Sequence, residues 1–483
     1  MKRVLYFLGL IFLVIAGIML ILVPTALFFG EWSLIPWFLI PAATALILGF
    51  LLMWKFERKE LTLGHAMVLV ASTWILLSLF GSIPYIFGSG LDFLSAWFES
   101  MSGFTATGLT MFEMGETGAI DAHQTILFWR SVTEWVGGLG VIVLFLAALL
   151  GAGKAARRMY EAEARTDRVE VNVRLTAKSI WKIYLLYTIL GALAFYFVGM
   201  PPWESINHSM TGIATGGFSV TADSFAGYNS PELVIAVIIM LMGATSFAVH
   251  RKLIGGQWRE FFGNIEVKMM FFLIALATIV LVWSVGFEDA VFQSASALTG
   301  TGFSVAEQAG PNQLAFVSGD AWGPLQKSIL SCLMISGGGF GSTSSAIKLI
   351  RTVIILKAVY WLIKRSFLPK RAVVPFKLGG EVYSEGEVMQ TSVYAFIYLL
   401  VLMGGALVTM MAMSGASAID VFFESASAQG NVGLSTGVTS ITMPAIAKGT
   451  FIIQMLFGRL EILPVFALIG HMIAKIPRRR EAF

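Results

Sequence analysis

Four short segments of the chain combine glycine with threonine, serine and other small residues. They are FTATGLT at 104–110, ATGGFS at 214–219, TGTGFS at 299–304 and GNVGLS at 430–435. A glycine in such a segment lets the backbone adopt conformations that a Cβ atom resists. Backbone carbonyl oxygens held in this way can replace the hydration shell of a cation. These residue types therefore suggest cation coordination by the main chain.

Residues for other kinds of chemistry are sparse and scattered. The chain has five histidines, and no two of them have the spacing of a metal-binding pair: His65, His123, His208, His250 and His471. The single cysteine, Cys332, excludes a disulfide framework and a cysteine-based metal cluster. Because no His, Cys and Asp constellation is present, neither a membrane-embedded enzyme nor an organic cofactor on this chain is expected.

The four segments align without a gap on one glycine each, namely Gly108, Gly217, Gly302 and Gly433. Serine or threonine stands six residues earlier in every case, at Ser102, Thr211, Ser296 and Ser427, and serine stands eight residues earlier, at Ser100, Ser209, Ser294 and Ser425. Thirteen residues before the glycine are Ser95, Glu204, Asp289 and Asp420, types that favour a helix N-cap or first turn. This agreement indicates an internal fourfold repeat.

The composition places these repeats in a membrane. Of 483 residues, 57% are hydrophobic and 13% are charged, and the mean hydropathy is +0.79, which excludes a water-soluble domain. Ten apolar runs approach or exceed the roughly 20 residues that span a bilayer. They lie at 4–28, 35–54, 65–88, 125–151, 180–200, 231–254, 268–287, 325–364 (interrupted), 388–412 and 449–475. The first run is too long for a signal peptide and is expected to be retained.

Lysine and arginine predict the orientation of these spans. They cluster in 55–59, 154–182, 250–268, 364–377 and 475–480, and are missing from 85–123, 200–230, 287–326 and 413–447. Because cytoplasmic loops are enriched in these residues, both termini are expected in the cytoplasm. The basic loops suit a cytosolic protein partner or, equally, only anionic lipid and topology. The formal net charge of +4 therefore does not indicate nucleic acid binding.

Each repeat is predicted to contain a span, a short helix, the glycine segment and a second span. A helix of about ten residues is ~15 Å long, which is half of a ~30 Å hydrocarbon core. Non-helical backbone at that depth is tolerated where it lines a water-filled path or is buried in protein. The alternative, small residues that serve close helix packing, does not explain four segments in register.

The predicted fold class is an all-α integral membrane protein in which fourfold pseudo-symmetric repeats of span, pore helix, filter and span surround one pore. Two extra N-terminal spans occupy 1–60. Pore repeats 1 to 4 are assigned to 61–165, 166–262, 263–376 and 377–483, with an interrupted inner helix in the third.

Several motifs resemble the signatures of the Trk/Ktr/HKT superfamily of potassium transporters, over nearly the whole chain. They are FWRSVTEWVGGLGVIVL at 128–144, GGGFGSTSSAIKLIR at 337–351, FGRLEILPVFALI at 457–469 and, more weakly, GATSFAVH at 243–250. The two extra spans make the chain more similar to the bacterial TrkH branch. One departure is STSSAIK, where the family pattern has a more glycine-rich STAGGIK.

The resemblance implies potassium uptake across the bacterial plasma (inner) membrane by a multi-pass, channel-like, K⁺-selective pore. It implies a gate formed by an intramembrane loop and a cytosolic regulatory partner, which would be a nucleotide-binding RCK protein of the TrkA type. A homodimer with one pore per protomer, contact with membrane lipid, and K⁺ as bound substrate are also implied. The alternative is a K⁺ symporter coupled to H⁺ or Na⁺.

The expected K⁺ ligands are the glycine of each repeat and the two residues before it: Ala106, Thr107, Gly108, Thr215, Gly216, Gly217, Gly300, Thr301, Gly302, Asn431, Val432 and Gly433. The expected gating residues are Gly337, Gly338, Gly339, Gly341, Ser342 and Thr343 of the intramembrane loop, together with Arg459.

Five charged residues near these segments are open to more than one interpretation. Arg459 lies near the middle of the last span, where its charge would raise the barrier to K⁺ or form an ion pair with a carboxylate such as Glu134. Arg130 and Glu134, at the i, i+4 spacing of a helix, are expected to pair with each other, and the alternative is that they line the pore. Glu99 and Glu424, nine residues before their glycines, are expected either to concentrate cations or to brace the filter.

Overall fold

The computed structural model of the chain describes residues 2–113, 120–140, 173–306, 317–318, 321–369, 374–379, 381–460, 466 and 470. Six helices in this part of the chain are long and apolar enough to cross a membrane. A seventh span results if two consecutive helices that meet at 109° are counted as one. The predicted all-α membrane fold is confirmed, and the described strands form one short hairpin.

The chain begins with two apolar helices that pack along each other. They comprise α1 (Lys2–Leu20) with its continuation α2 (Leu22–Phe28), a 3₁₀ turn (Trp32–Leu34), and α3 (Ile35–Lys55). A Cβ atom on Gly9 would lie 2.8 Å from the carbonyl oxygen of Gly49. Glycine is therefore required for this close backbone approach, as is common between membrane helices.

The remaining elements follow the repeat order of the sequence. The first group comprises α4 (Leu63–Gly81), α5 (Ile83–Ser89), α6 (Phe93–Phe104) and α7 (Gln124–Leu139). The second comprises α8 (Val173–Val198), α9 (Pro202–Ile213), α10 (Ser230–Gly243), α11 (Phe247–Ile254) and α12 (Trp258–Gly263). The third comprises α13 (Ile265–Val285), α14 (Phe287–Thr299), α15 (Pro324–Ser336) and α16 (Leu349–Ser366). Strands β1 (Phe376–Leu378) and β2 (Glu381–Tyr383) precede α17 (Glu385–Ala412), α18 (Ala418–Gly430) and α19 (Ala445–Leu460).

The four helices that precede the glycine segments are short. Helices α6 and α9 have 12 residues, and α14 and α18 have 13. At 1.5 Å per residue each is roughly 18–20 Å long, too short to cross the hydrocarbon core. Acidic groups stabilise their N-terminal ends: Asp92 caps α6 through the N–H groups of Leu94 and Ser95, and Asp420 lies in the first turn of α18.

The four short helices close a ring through contacts between neighbouring repeats. Each short helix packs against the second span of the repeat before it, as α9 does on α7, α14 on α10, and α18 on α15. Helix α6 of the first repeat packs against α19 of the fourth, which completes the circle. This packing brings the C-terminal ends of all four short helices, and the glycine segments that follow them, to one place.

Two of the second spans are broken. The sequence predicts one continuous span at 231–254, and this prediction is wrong because α10 and α11 meet at 109° after Gly243. In the third repeat, α15 ends at Ser336 and α16 begins at Leu349. The predicted spans at 125–151 and 449–475 are described continuously as far as residues 140 and 460, and their remainders, apart from 466 and 470, lie outside the described residues.

The hairpin of β1 and β2 is antiparallel, with Phe376 opposite Tyr383. Phe376 and Leu378 pack with Ile354 and Ala358 of α16 in a small apolar cluster. The hairpin therefore ties the helix that follows the broken span to the start of α17.

Candidate functional site

The glycine segments share an unusual backbone conformation. The aligned glycine has a positive φ in every repeat: 86° at Gly108, 83° at Gly217, 82° at Gly302 and 101° at Gly433. The residue two positions earlier also has a positive φ: 52° at Ala106, 51° at Thr215, 75° at Gly300 and 52° at Asn431. L-amino acids with a side chain resist this left-handed region, so the conformation explains why glycine is required at the aligned position.

One backbone hydrogen bond recurs in all four repeats. The N–H group of the residue before the glycine donates to the carbonyl oxygen of the serine or threonine six positions before the glycine. The pairs are Thr107 to Ser102 at 2.8 Å, Gly216 to Thr211 at 3.0 Å, Thr301 to Ser296 at 3.1 Å and Val432 to Ser427 at 2.9 Å. This bond fixes each glycine segment to the C-terminal turn of its own short helix.

The four glycines lie against the carbonyl groups of the neighbouring repeats. A Cβ atom on any of them would fall less than 3.0 Å from the carbonyl oxygen of the residue before the glycine in the next repeat. Gly108 faces Gly216, Gly217 faces Thr301, Gly302 faces Val432, and Gly433 faces Thr107. The contacts run from each repeat to the next and from the fourth back to the first, so the segments form a closed ring.

A cavity of about 450 Å³ opens on one side of this ring. Its lining includes all four glycines and the four hydroxyl residues two positions after them: Thr110, Ser219, Ser304 and Ser435. The C-terminal ends of the short helices, which carry partial negative charge, lead into the ring. Carbonyl and hydroxyl oxygens with helix dipoles of this sign favour a cation on the ring axis.

Buried carboxylates brace the segment after the glycine in the first and fourth repeats. Glu99 accepts hydrogen bonds from the N–H of Met111 at 2.7 Å and the hydroxyl of Thr110 at 3.0 Å. Glu424 accepts from the N–H of Thr436 at 2.8 Å and the hydroxyl of Thr439 at 2.7 Å. Both carboxylates are fully buried. Their hydrogen bonds favour the interpretation that Glu99 and Glu424 brace the filter over the interpretation that they concentrate cations.

Neutral side chains occupy the same position in the other two repeats. The Nε2 atom of His208 lies 2.9 Å from the hydroxyl oxygen of Ser219. The side-chain oxygen of Gln293 accepts from the N–H of Val305 at 3.3 Å. The bracing roles of His208 and Gln293 are not among the predictions from the sequence, although the repeat alignment contains the signal, a polar residue nine positions before every glycine.

The predicted pair of Arg130 and Glu134 is wrong. The guanidinium of Arg130 donates to Glu99 at 2.8 Å and to the carbonyl of Ser219 at 3.0 Å, and lies over the ring of Phe218 at 4.0 Å. Glu134 instead accepts the N–H of Phe218 at 3.0 Å. Both side chains lie on the face of α7 that is turned towards the ring. Hydrogen-bond acceptors and donors of other segments bind them there, in place of a contact between Arg130 and Glu134.

The segment between α15 and α16 contains the six loop residues predicted to gate, and it docks on the break between α10 and α11. The N–H of Gly339 donates to Ala244 at 2.8 Å, and the N–H of Phe247 donates to Gly341 at 3.2 Å. On the other side, the N–H of Phe340 donates to the carboxylate of Glu266 at 2.8 Å. The two breaks thus satisfy each other's backbone groups, as buried non-helical backbone requires.

Arg459 connects the fourth repeat to this loop. Its guanidinium donates to the carbonyl of Thr343 at 2.7 Å, to the hydroxyl of Ser345 at 3.2 Å and to the carbonyl of Gly138 at 2.7 Å. Glu134 is not an ion-pair partner of Arg459, since that carboxylate binds the N–H of Phe218. Arg459 therefore lies between the loop and the C-terminal end of α7.

Comparisons with known proteins agree with one another. A family model described as TrkH, cation transport protein, matches residues 35–285 and 284–474. An uncharacterized cation transporter of Methanocaldococcus jannaschii is 35% identical over 444 residues, which cover 91% of this chain and 90% of that protein. The Trk system potassium uptake protein TrkH of Escherichia coli (strain K12) is 30% identical over 455 residues, with 88% and 89% coverage. The crystal structure of the potassium transporter TrkH from Vibrio parahaemolyticus superposes with a TM-score of 0.81 at 26% identity, covering 97% of this chain and 98% of that one.

Proposed function

Since this chain belongs to the TrkH family of cation transport proteins, we propose that it mediates potassium uptake through a channel-like, K⁺-selective pore. The observation that carries this proposal is the closed ring, in which each glycine faces a carbonyl group of the next repeat. The relatives named as potassium uptake proteins match this chain over most of their length.

The proposed path begins in the 450 Å³ cavity, whose hydroxyl groups and carbonyl oxygens accept a partly hydrated ion. The ion then passes the ring, where the twelve residues expected as K⁺ ligands offer backbone oxygens in place of water. Left-handed residues alternate with right-handed or extended ones in each segment. Each segment is hydrogen-bonded both to its short helix and to the residue nine positions before its glycine. Because these bonds hold the ring rigidly, the ring is expected to fit an ion of one size.

The proposed gate consists of the loop from Gly337 to Lys348 and the side chain of Arg459. The loop contacts the ring segments of the second and third repeats, since Thr343 lies 3.3 Å from the hydroxyl of Thr215, and Ser344 lies beside Gly300. A permeating ion would meet the positive charge of the half-buried Arg459 at this level, and the low dielectric of the membrane interior makes such a charge a substantial barrier. Movement of the glycine-rich part of the loop, Gly337 to Ser342, with release of the guanidinium of Arg459 from its hydrogen bond to the loop, would remove both obstacles.

The assembly that we propose around this pore follows the family. It is a homodimer in the bacterial inner membrane, with both termini in the cytoplasm, four pore repeats per protomer and a nucleotide-binding RCK partner of the TrkA type. The basic segment at 364–377 and the mostly undescribed segment at 154–182 are the proposed contact sites for that partner. A soluble partner bound at 364–377 would contact the C-terminal end of α16, the helix that directly follows the loop.

The proposal is tested by Rb⁺ and K⁺ flux into liposomes that contain the purified protein under an imposed voltage. Uptake driven by voltage alone, with competition by K⁺ and little by Na⁺, is expected. Uptake that requires an H⁺ or Na⁺ gradient at fixed voltage would favour the symporter instead. Equal flux of Na⁺ and K⁺ would refute the assignment of the ring as a K⁺-selective site.

A further inference from the structure

The second repeat carries the least favourable residue at the left-handed position before its glycine. Gly300 has no side chain there, and asparagine, as at Asn431, is several-fold enriched in this region of backbone space. Thr215, with φ of 51°, is β-branched, and a β-branched residue in this conformation is an outlier. Such strain persists only where the surroundings impose it, and it is concentrated at functional sites.

The surroundings of Thr215 come from the two broken spans. A Cβ atom on Gly243 would lie 2.8 Å from the Cγ2 methyl of Thr215, so glycine at the end of α10 makes room for that methyl. The hydroxyl of Thr215 lies 2.7 Å from the carbonyl oxygen of Ala214 and 3.3 Å from the hydroxyl of Thr343 in the loop. Because Thr215 is only 1% exposed, its hydroxyl has no access to solvent and must find its hydrogen-bond partners among these neighbours.

Thr343 holds together the elements that surround Thr215. Its N–H donates to the carbonyl of Gly243 at 3.1 Å. Its hydroxyl lies 2.8 Å from the same carbonyl and 3.0 Å from the carbonyl of Ile213, the last residue of α9. Its own carbonyl accepts from Arg459. A fully buried side chain of the loop thus closes the C-terminal end of the second short helix.

We propose that Thr343 is a positioning residue for ion selection, whose hydroxyl holds Thr215 in its left-handed conformation. This inference rests on the proposed function of the ring and the loop. Loss of this hydroxyl leaves the carbonyls of Ile213 and Gly243 without that donor. The strained Thr215 is then free to relax, which rotates its carbonyl away from the ion. A K⁺-selective conducting state therefore requires that the rest of the loop move while Thr343 stays beside Thr215, so this pair couples the loop to ion selection.

The corresponding residues of the third and fourth repeats lack this connection. Asn431 is fixed within the ring by hydrogen bonds from its amide to the hydroxyl of Thr107 at 2.8 Å and the carbonyl of Met455 at 2.9 Å. Gly300 lies beside Ser344, but the hydroxyl of Ser344 accepts the N–H of Gly338 within the loop itself. The loop thus bears on ion selection through Thr343 rather than through its presence alone.

The test compares Thr343→Val, which removes the hydroxyl at nearly constant volume, with Thr343→Ser, which keeps the hydroxyl. Thr343→Ala serves if the valine variant does not fold. Thr352→Ala is the matched control, because the hydroxyl of Thr352 is hydrogen-bonded to the carbonyl of Lys348, the N-cap residue of α16 at the end of the loop, rather than to a ring segment. The readout is the ratio of K⁺ to Na⁺ permeability of the full-length protein in liposomes, measured per folded molecule.

We expect Thr343→Val to lower this ratio roughly fivefold, the factor that corresponds to about 1 kcal/mol. Thr343→Ser and Thr352→Ala should retain the parental ratio. A Thr343→Val protein with higher flux but an unchanged ratio would overturn the inference and leave the proposed function intact. A parent protein that does not discriminate K⁺ from Na⁺ would overturn both.

A double-mutant cycle with Thr215→Gly separates strain from general damage. Glycine adopts the left-handed conformation without cost, so it needs no support from the loop. The change in ratio caused by Thr343→Val should therefore shrink to less than about twofold in the Thr215→Gly background. An undiminished fivefold change in that background would show that Thr343 acts on selectivity by another route, which overturns the role proposed for Thr215.

Discussion

Substitution of Gly108 by serine is the most direct test of the ring. Gly108 has φ of 86°, and a Cβ atom there would lie less than 3.0 Å from the carbonyl oxygen of Gly216 and 3.3 Å from the Cα atom of Gly433. Both neighbours belong to other repeats and are proposed K⁺ ligands. A side chain in the first repeat must therefore displace backbone in the second and crowd the fourth.

The size of the effect follows from a comparison with Gly90, the C-cap of α5. Gly90 has φ of 70°, and its added Cβ atom would meet nothing within 4 Å. Serine at either position costs about 1–2 kcal/mol for the left-handed conformation. Only Gly108→Ser adds the cost of overpacking, about 1–3 kcal/mol. If ~1.4 kcal/mol of this overpacking cost is relieved by movement of the Gly216 carbonyl away from the ion, the preference for K⁺ over Na⁺ falls about tenfold.

The assay measures K⁺ and Na⁺ permeability of both variants in liposomes, together with their melting temperatures. We expect Gly108→Ser to lower the K⁺/Na⁺ ratio about tenfold, and Gly90→Ser to keep the ratio with only a loss of stability. Equal ratios in the two variants, at equal amounts of folded protein, would refute the placement of Gly108 in a ring of ion-coordinating backbone. Loss of selectivity in both would show that left-handed strain alone, without the contact to Gly216, is responsible.

Three further predictions concern the gate and the support of the ring. Arg459→Ala should raise K⁺ flux about tenfold, which corresponds to a barrier lower by ~1.4 kcal/mol. Arg459→Lys should give an intermediate flux, because one ammonium group cannot bridge the loop and α7 as the guanidinium fork does. A lower melting temperature of the alanine variant without a gain in flux would contradict this prediction. Deletion of 338–342 should raise flux per folded molecule, and a folded deletion variant as slow as the parent would argue against a gate. Glu424→Gln should cost about 1–3 kcal/mol of stability, because a buried acceptor is lost, and thermal unfolding should show no comparable change for Glu381→Gln on exposed strand β2.

The ring residues could be located from the sequence because the same backbone problem is solved four times. A left-handed position in close contact with a neighbouring carbonyl admits only glycine, so Gly217 and Gly302 stand in the same alignment column as the others. The polar residue nine positions before each glycine also has the same task in every repeat, which is to hydrogen-bond the segment after the glycine. Its residue type, however, differs between repeats. Identity at a position is therefore easier to detect than a shared hydrogen-bonding role.

The break between α10 and α11 could not be predicted from local sequence. After Pro231 at the start of α10, residues 232–254 are mostly apolar and contain no further proline, which favours a continuous helix. The helix ends at Gly243 because the loop of the third repeat supplies donors to Gly243 and Ala244, and tertiary contacts of this kind override propensity. The i, i+4 pair of Arg130 and Glu134 fails for the same reason, since better partners come from segments distant in sequence.

The four repeats build one symmetric ring on two unlike pairs of supports. In the first and fourth repeats the brace is a buried carboxylate, and α7 and α19 run without a break to Leu139 and Leu460. In the second and third repeats the brace is neutral and the second span is broken. Hydrogen bonds to a charged group are worth about 1.5–3 kcal/mol and neutral ones about 0.5–1.5 kcal/mol. The segments of the first and fourth repeats are thus held rigid by the stronger hydrogen bonds. The segments of the second and third repeats, which contact the loop, have the weaker hydrogen bonds, and a moving gate can break and re-form these.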